Sequence, residues 1–182
     1  MSYFDVSGIE GVRLTKLSSV SDSRGSFIKF EPALQLHGNL DSVAISINPK
    51  VGTIRGIHFQ VEPYAEEKIV TCARGSIFDV IIDIRPDSKS LGRIATFELS
   101  RSNGMQAYLP KGIAHGFQTL TQDTIVHYCL TSKYSSESSY SINPFSNLGI
   151  AWPIHDFLIS KKDEAGISLA SATQQYAKSL EL

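Results

Sequence analysis

Along the whole chain, apolar residues either alternate with polar ones or run together in short blocks. The first blocks are VRLTKL (12–17), SFIKFE (26–31), SVAISI (42–47), TIRGIHFQ (53–60) and KIVTCA (68–73). SIFDVIIDIR (76–85), RIATFELS (93–100), QAYLP (106–110), HGFQTL (115–120) and TIVHYCLT (124–131) follow. An extended chain turns successive side chains to opposite faces, so these blocks predict strands. Between them stand DSRG, NPKVG, RPDSKS, SRSNG and PKG, rich in the residues that turn dihedrals favour. Many short strands at this spacing predict an all-β sandwich or barrel. The period changes only in the tail. In SLASATQQYAKSL (168–180), Leu169, Ala172, Tyr176 and Leu180 recur near helical spacing, which predicts a C-terminal helix. No repeat, low-complexity block or linker interrupts the pattern, so residues 1–182 are expected to form one domain.

Composition adds mainly exclusions. A length of 182 residues suffices for a sizeable core, and 42% hydrophobic with 19% charged residues is ordinary globular composition. A formal net charge of −1 gives no field to attract nucleic acid or an anionic membrane. Any phosphate would have to be held by a few local Arg or Lys side chains. Cys72 and Cys129 lie far apart without a CxxC pairing, which suggests free thiols in a reducing compartment, a single bridge being the alternative. The opening MSYFDVSGIEG lacks a basic segment leading into an apolar one, so no signal peptide is expected. No apolar run approaches the ~18 residues of a membrane helix. A cytoplasmic protein is the expectation.

Two glycine-anchored blocks carry the candidate chemistry. In the first, Gly52 precedes His58, Gln60, Glu66, Glu67 and Gly75; in the second, GMQAYLPKGIAH, Gly104 precedes Pro110, Gly112 and His115. This pair resembles the signature of the cupin family, which implies a double-stranded β-helix, or jelly-roll, barrel. Metal-binding cupins generally use three His and one Glu, and Gln60 stands where their second His would be. That leaves His58, His115 and one of Glu66 or Glu67, a poor set for a transition metal, so no metal is expected. On the residues alone, both histidines read first as satisfied core side chains.

RGIHFQ with KIV ten residues after its histidine, then FDVIIDIRPDS, LPKGIAHGFQTL, HYCLTSKY, GIAWP and SKKD, follow one another in order. Together they resemble the dTDP-4-dehydrorhamnose 3,5-epimerase family, metal-independent cupins acting on nucleotide-linked 4-keto-6-deoxy sugars. The resemblance implies His58 as base, Asp163 as its carboxylate partner, Lys68 as the group facing the enolate and Tyr128 as proton donor. It implies Arg24, Phe27, Lys29, Arg55, Gln60, His115 and Tyr134 as substrate-binding or supporting positions. It also implies a dTDP-linked sugar substrate, no cofactor, and a homodimer that shares strands and site residues.

The chemistry asks for such groups independently. Hydrogens on C3 and C5 of a 4-keto sugar are acidic because they lie α to the carbonyl. A base that titrates near neutrality suits their removal, and histidine is the natural one. An ammonium would stabilise the C4 oxyanion, and a neutral phenol would return a proton on the opposite face. Each residue also has a plainer reading: Lys68 as a solvated strand edge, Tyr128 as core packing in line with Val126 and Leu130, Asp163 as a carboxylate near a helix start, Arg24 as an exposed turn residue.

The chain departs from the family pattern at Ser26, where a bulky apolar residue is usual, and at Lys29, where Glu is usual. Ser46 and Asn48 replace a Gln/Asn pattern, and SINPFSN (141–147) lacks the family's Trp. These positions bear on the sugar and nucleotide, leaving C3 against C3-and-C5 epimerisation open. A 3,4-ketoisomerase, a metal-dependent cupin dioxygenase and a non-catalytic sugar-nucleotide binding module are the competing expectations.

Overall fold

The computed structural model describes residues 3–5, 8–29 and 36–181. The strands are β1 (Tyr3–Asp5), β2 (Arg13–Lys16), β3 (Ser19–Asp22), β4 (Gly25–Ile28), β5 (Ser42–Asn48), β6 (Ile54–Gln60) and β7 (Lys68–Arg74). They continue as β8 (Ser76–Asp83), β9 (Ile94–Ser100), β10 (Met105–Leu109), β11 (Ile113–Thr119), β12 (Thr124–Leu130) and β13 (Ser139–Ser141), followed by helices α1 (Lys161–Glu164) and α2 (Leu169–Ser179). Every block predicted as a strand contains one. For SFIKFE the strand is β4, and Phe30 and Glu31 lie outside the described residues. No described helix is long and apolar enough to cross a membrane.

Two sheets face each other, in the orders β1-β2-β10-β7-β12-β5 and β13-β6-β11-β8-β9, with β3–β4 as a separate hairpin. The fold is thus β-rich and two-layered as expected. A closed barrel is not formed among the described residues: β1 and β5 bound one sheet, β13 and β9 the other.

Period-2 alternation decides what lies between the sheets. Val70, Cys72, Ile81, Phe117 and Val126 come from both sheets and make one apolar cluster. The alternate residues Ile57, Phe59, Val80, Ile82 and Ala114 point to the other face of the five-stranded sheet. There they pack with Trp152, Ala172 and Tyr176, so this sheet is buried on both faces, and SIFDVIIDIR reads as a nearly unbroken apolar run for that reason. Each fully buried side chain of this kind contributes roughly 1.5–3 kcal/mol.

Helix α2 begins at Ser168, whose side chain accepts from the Ser171 amide. It buries Ala172, Tyr176 and Ser179, while Leu180, counted in the predicted apolar stripe, sits at the C-cap and is half exposed.

Glycine matters most where β6 meets β11. Gly56 has φ +111°, and a Cβ there would stand 2.6 Å from the Gly116 Cα. A Cβ on Gly116 would in turn come within 2.9 Å of the Arg55 carbonyl oxygen. The two backbones meet without intervening side chains, the register shifts between His115 and Phe117, and His115 stands opposite His58.

Candidate active site

At one end of the inter-sheet space the inward-facing positions are polar. A cavity of about 370 Å³ is lined there by His58, Gln60, Glu66, Lys68, His115, and Tyr128, with Arg55, Tyr134, Ser139 and Lys162 also contributing. β6 delivers His58 on the face opposite Ile57 and Phe59; β7 delivers Lys68 on the face shared with Val70 and Cys72; β12 delivers Tyr128 in line with Val126.

The His58 Nε2 lies 2.6 Å from the Asp163 Oδ1. A carboxylate can only accept, so this bond puts the proton on Nε2 and the free lone pair on Nδ1. Asp163 is held by the one-turn helix α1, whose N-cap Ser160 accepts from the Asp163 amide. Its carboxylate also accepts from the Gly56 amide at 3.4 Å and the Ser141 hydroxyl at 3.2 Å. Burial acts to raise the Asp163 carboxyl, but the bond and charge from His58, with the Gly56 and Ser160 contacts, outweigh it and hold it below its ordinary value. The group therefore stays ionised through the neutral range.

The Lys68 Nζ lies 3.1 Å from the Glu66 Oε1, and each side chain is only 10% exposed. Glu66, which the sequence leaves as one candidate for a ligand carboxylate, thus belongs to the cavity. Its neighbour Glu67 points the other way and accepts from the amides of His37 and Gly38 and from the Tyr108 hydroxyl. His115 is buried and its Nε2 lies 2.8 Å from the Oδ1 of fully buried Asp79. The Tyr128 ring lies 6.2 Å from the His115 ring, nearly perpendicular to it. Burial, and next the Asp79 carboxylate, push the Tyr128 phenol far above its ordinary value against the pull of Arg55, so the phenol keeps its proton.

Arg55, which also lines the cavity, is anchored by donating from Nε to the Asn48 Oδ1 at 2.7 Å. Gln60 lines the cavity, yet its amide serves the protein: Nε2 donates to the carbonyls of Tyr64 and Lys133, and Oε1 accepts from the Ser135 amide. Tyr134 stands at the mouth, 68% exposed. Arg24, Phe27 and Lys29 do not join the group within one chain. Arg24, in the β3–β4 turn, pairs with Asp22 at 2.6 Å, and Phe27 is 71% exposed.

Lys162 lines the cavity and was not expected from the sequence; its place beside Asp163 in SKKD was the available signal. Among the described residues no three His, Cys, Asp or Glu side chains gather as a metal site. Instead His58 and His115 each face a single carboxylate.

Known proteins share this architecture. The family model described as dTDP-4-dehydrorhamnose 3,5-epimerase matches residues 7–171. The dTDP-4-dehydrorhamnose 3,5-epimerase of Sinorhizobium fredii is 36% identical over 185 residues, covering 97% of this chain and 95% of that protein. The crystal structure of NovW, a 4-keto-6-deoxy sugar epimerase of Streptomyces spheroides, aligns with a TM-score of 0.87 at 29% identity, covering 96% and 90% of the two chains. ChmJ, a 3'-monoepimerase of Streptomyces bikiniensis solved with dTDP-quinovose, aligns at 0.83 and 29% identity over 97% and 100%. With the family match covering every strand but β1 and every residue lining the cavity, the chain belongs to the dTDP-4-dehydrorhamnose 3,5-epimerase family.

Proposed function

We propose that the chain epimerises a dTDP-linked 4-keto-6-deoxyhexose at C3 and C5, or at C3 alone, through an enolate. One observation carries the reading: a carboxylate-backed imidazole, a buried ammonium and a protonated phenol face a single cavity. His58 Nδ1 removes the proton α to the C4 carbonyl, and Asp163 stabilises the imidazolium that forms. Charge then develops on the C4 oxygen, where Lys68 stabilises the transition state more than the ketone. Tyr128 returns a proton on the other face, which inverts the centre. The oxidation level of the sugar is unchanged, so the sequence of steps calls for no redox cofactor. Arg55 and Lys162 supply positive charge for the pyrophosphate, guanidinium being well matched to phosphate oxygens.

The test is incubation with dTDP-4-keto-6-deoxy-D-glucose in D₂O, followed by NMR. Deuterium appears at C3, with or without C5. Absence of exchange with the dTDP-, GDP- and CDP-linked 4-keto sugars alike refutes the reading, and a carbonyl moved to C3 establishes a ketoisomerase instead.

The working unit is a homodimer of one-domain chains in which the partner's β3–β4 hairpin brings Arg24, Phe27 and Lys29 to the cavity. Val20 and Phe27 face each other across the hairpin and are 73% and 71% exposed; Val43, Ile45 and Ile47 on edge strand β5 are also exposed. Apolar surface of this kind supports an interface. Sedimentation gives twice the chain mass, and mixing inactive Arg24→Ala and His58→Asn chains restores about a quarter of the wild-type sites through the mixed dimer. A fully active monomer overturns the dimer. The free, buried thiols of Cys72 and Cys129, the former pushed up to about 11 by burial, suit the reducing cytoplasm.

A further inference from the structure

Glu66 precedes Lys68, the first residue of β7, by two positions, and both side chains line the cavity. The Glu66 Oε1 meets the Lys68 Nζ at 3.1 Å, and its Oε2 lies 3.4 Å from the Gln60 Nε2, whose two hydrogens serve the nearer Tyr64 and Lys133 carbonyls at 3.0 and 3.1 Å. Gln60 is itself fixed by the Tyr64 and Lys133 carbonyls and the Ser135 amide.

Electrostatically, Glu66 opposes the task assigned to Lys68, because a carboxylate 3.1 Å from an ammonium weakens its pull on a developing oxyanion. What it supplies is position. A lysine side chain has four rotatable bonds and holds one place only when something fixes its end. We propose that Glu66 is a positioning residue: it fixes the Lys68 ammonium at the place where the enolate oxygen forms. This rests on the epimerase reading.

The experiment compares Glu66→Ala and Glu66→Gln by steady-state kinetics and D₂O exchange with dTDP-4-keto-6-deoxy-D-glucose. Glu66→Ala lowers kcat roughly 10²-fold, the scale of a reacting group displaced by about 1 Å, with KM within about threefold. Glu66→Gln, whose amide oxygen still accepts from Nζ, recovers most of that loss. In a Lys68→Met background neither change lowers kcat further, because the group being positioned is gone. A KM rise alone, an additive loss in the Lys68→Met background, or a Glu66→Gln loss equal to that of Glu66→Ala overturns the proposal. Crystal structures read the same point without turnover: the Nζ keeps its place in Glu66→Gln and leaves it in Glu66→Ala. Should Glu66→Ala fail to fold, Glu66→Ser takes its place in both measurements. If the wild-type protein exchanges no deuterium, the epimerase reading falls by itself, while the crystal structures still decide whether Glu66 fixes Lys68.

Discussion

His58→Asn abolishes measurable deuterium incorporation, lowering kcat by about 10²- to 10⁴-fold, the range for loss of a positioned general base. The Asn side chain keeps a polar group near Asp163 but has no lone pair that is basic near neutrality. Stability is little changed, because the His58 side chain is 41% exposed and Asp163 retains the Gly56 amide and Ser141 hydroxyl as donors. Thermal unfolding followed by circular dichroism checks this arm, and NMR in D₂O checks the other. A histidine present only to satisfy the core gives the opposite result, lower stability with exchange intact. Asp163→Asn sharpens the test: an amide can donate to Nε2, which then carries the lone pair while the proton moves to Nδ1, the nitrogen that has to act as base. Exchange is lost although the imidazole is still present.

Lys68→Met costs about 10²- to 10³-fold in kcat, the magnitude for removing one preorganised donor from a developing oxyanion. Methionine preserves the unbranched stem, so packing against β12 and β10 survives. The variant is also less stable by roughly 3–5 kcal/mol, since Glu66 is left buried without its cation. Adding Glu66→Gln to Lys68→Met removes that unpaired charge and restores most of the stability, while kcat stays low. Urea unfolding measures the first effect and turnover the second. If activity returns together with stability, Lys68 contributes to the fold and not to the chemistry.

How much of this was legible in the sequence depends on the length of each element. Ten strands were readable because their apolar residues alternate or run over four or more positions. β1 and β13, at three residues each, and β3, which is exposed throughout, carry no such signal. The one-turn helix α1 is likewise too short to show a period, although it holds Asp163. His58, Lys68, Tyr128 and His115 were placed together by the resemblance, and the alternation of β6, β7, β12 and β11 explains why they converge. Glu66 and Glu67 are chemically identical neighbours just before β7, yet one lines the cavity and the other meets Tyr108. The two-residue spacing from Lys68 was the available clue. Arg24 and Phe27 on the β3–β4 hairpin, and Lys29 just after it, do not line the cavity in which His58, Lys68 and Tyr128 meet.

The contact between Gly56 and Gly116 bears on how such an enzyme diversifies. At that crossing even a methyl group would push β6 and β11 apart and separate His58 from His115. Variation is therefore closed at the centre and open at the rim, where Ala44, Ser46, Tyr134, Ser139 and Lys162 meet the cavity from an edge strand, loops, short β13 and short α1. Changing the sugar or nucleotide accepted is a matter of resurfacing that rim. Laboratory evolution for a new substrate should leave the two glycines untouched and accumulate its substitutions there.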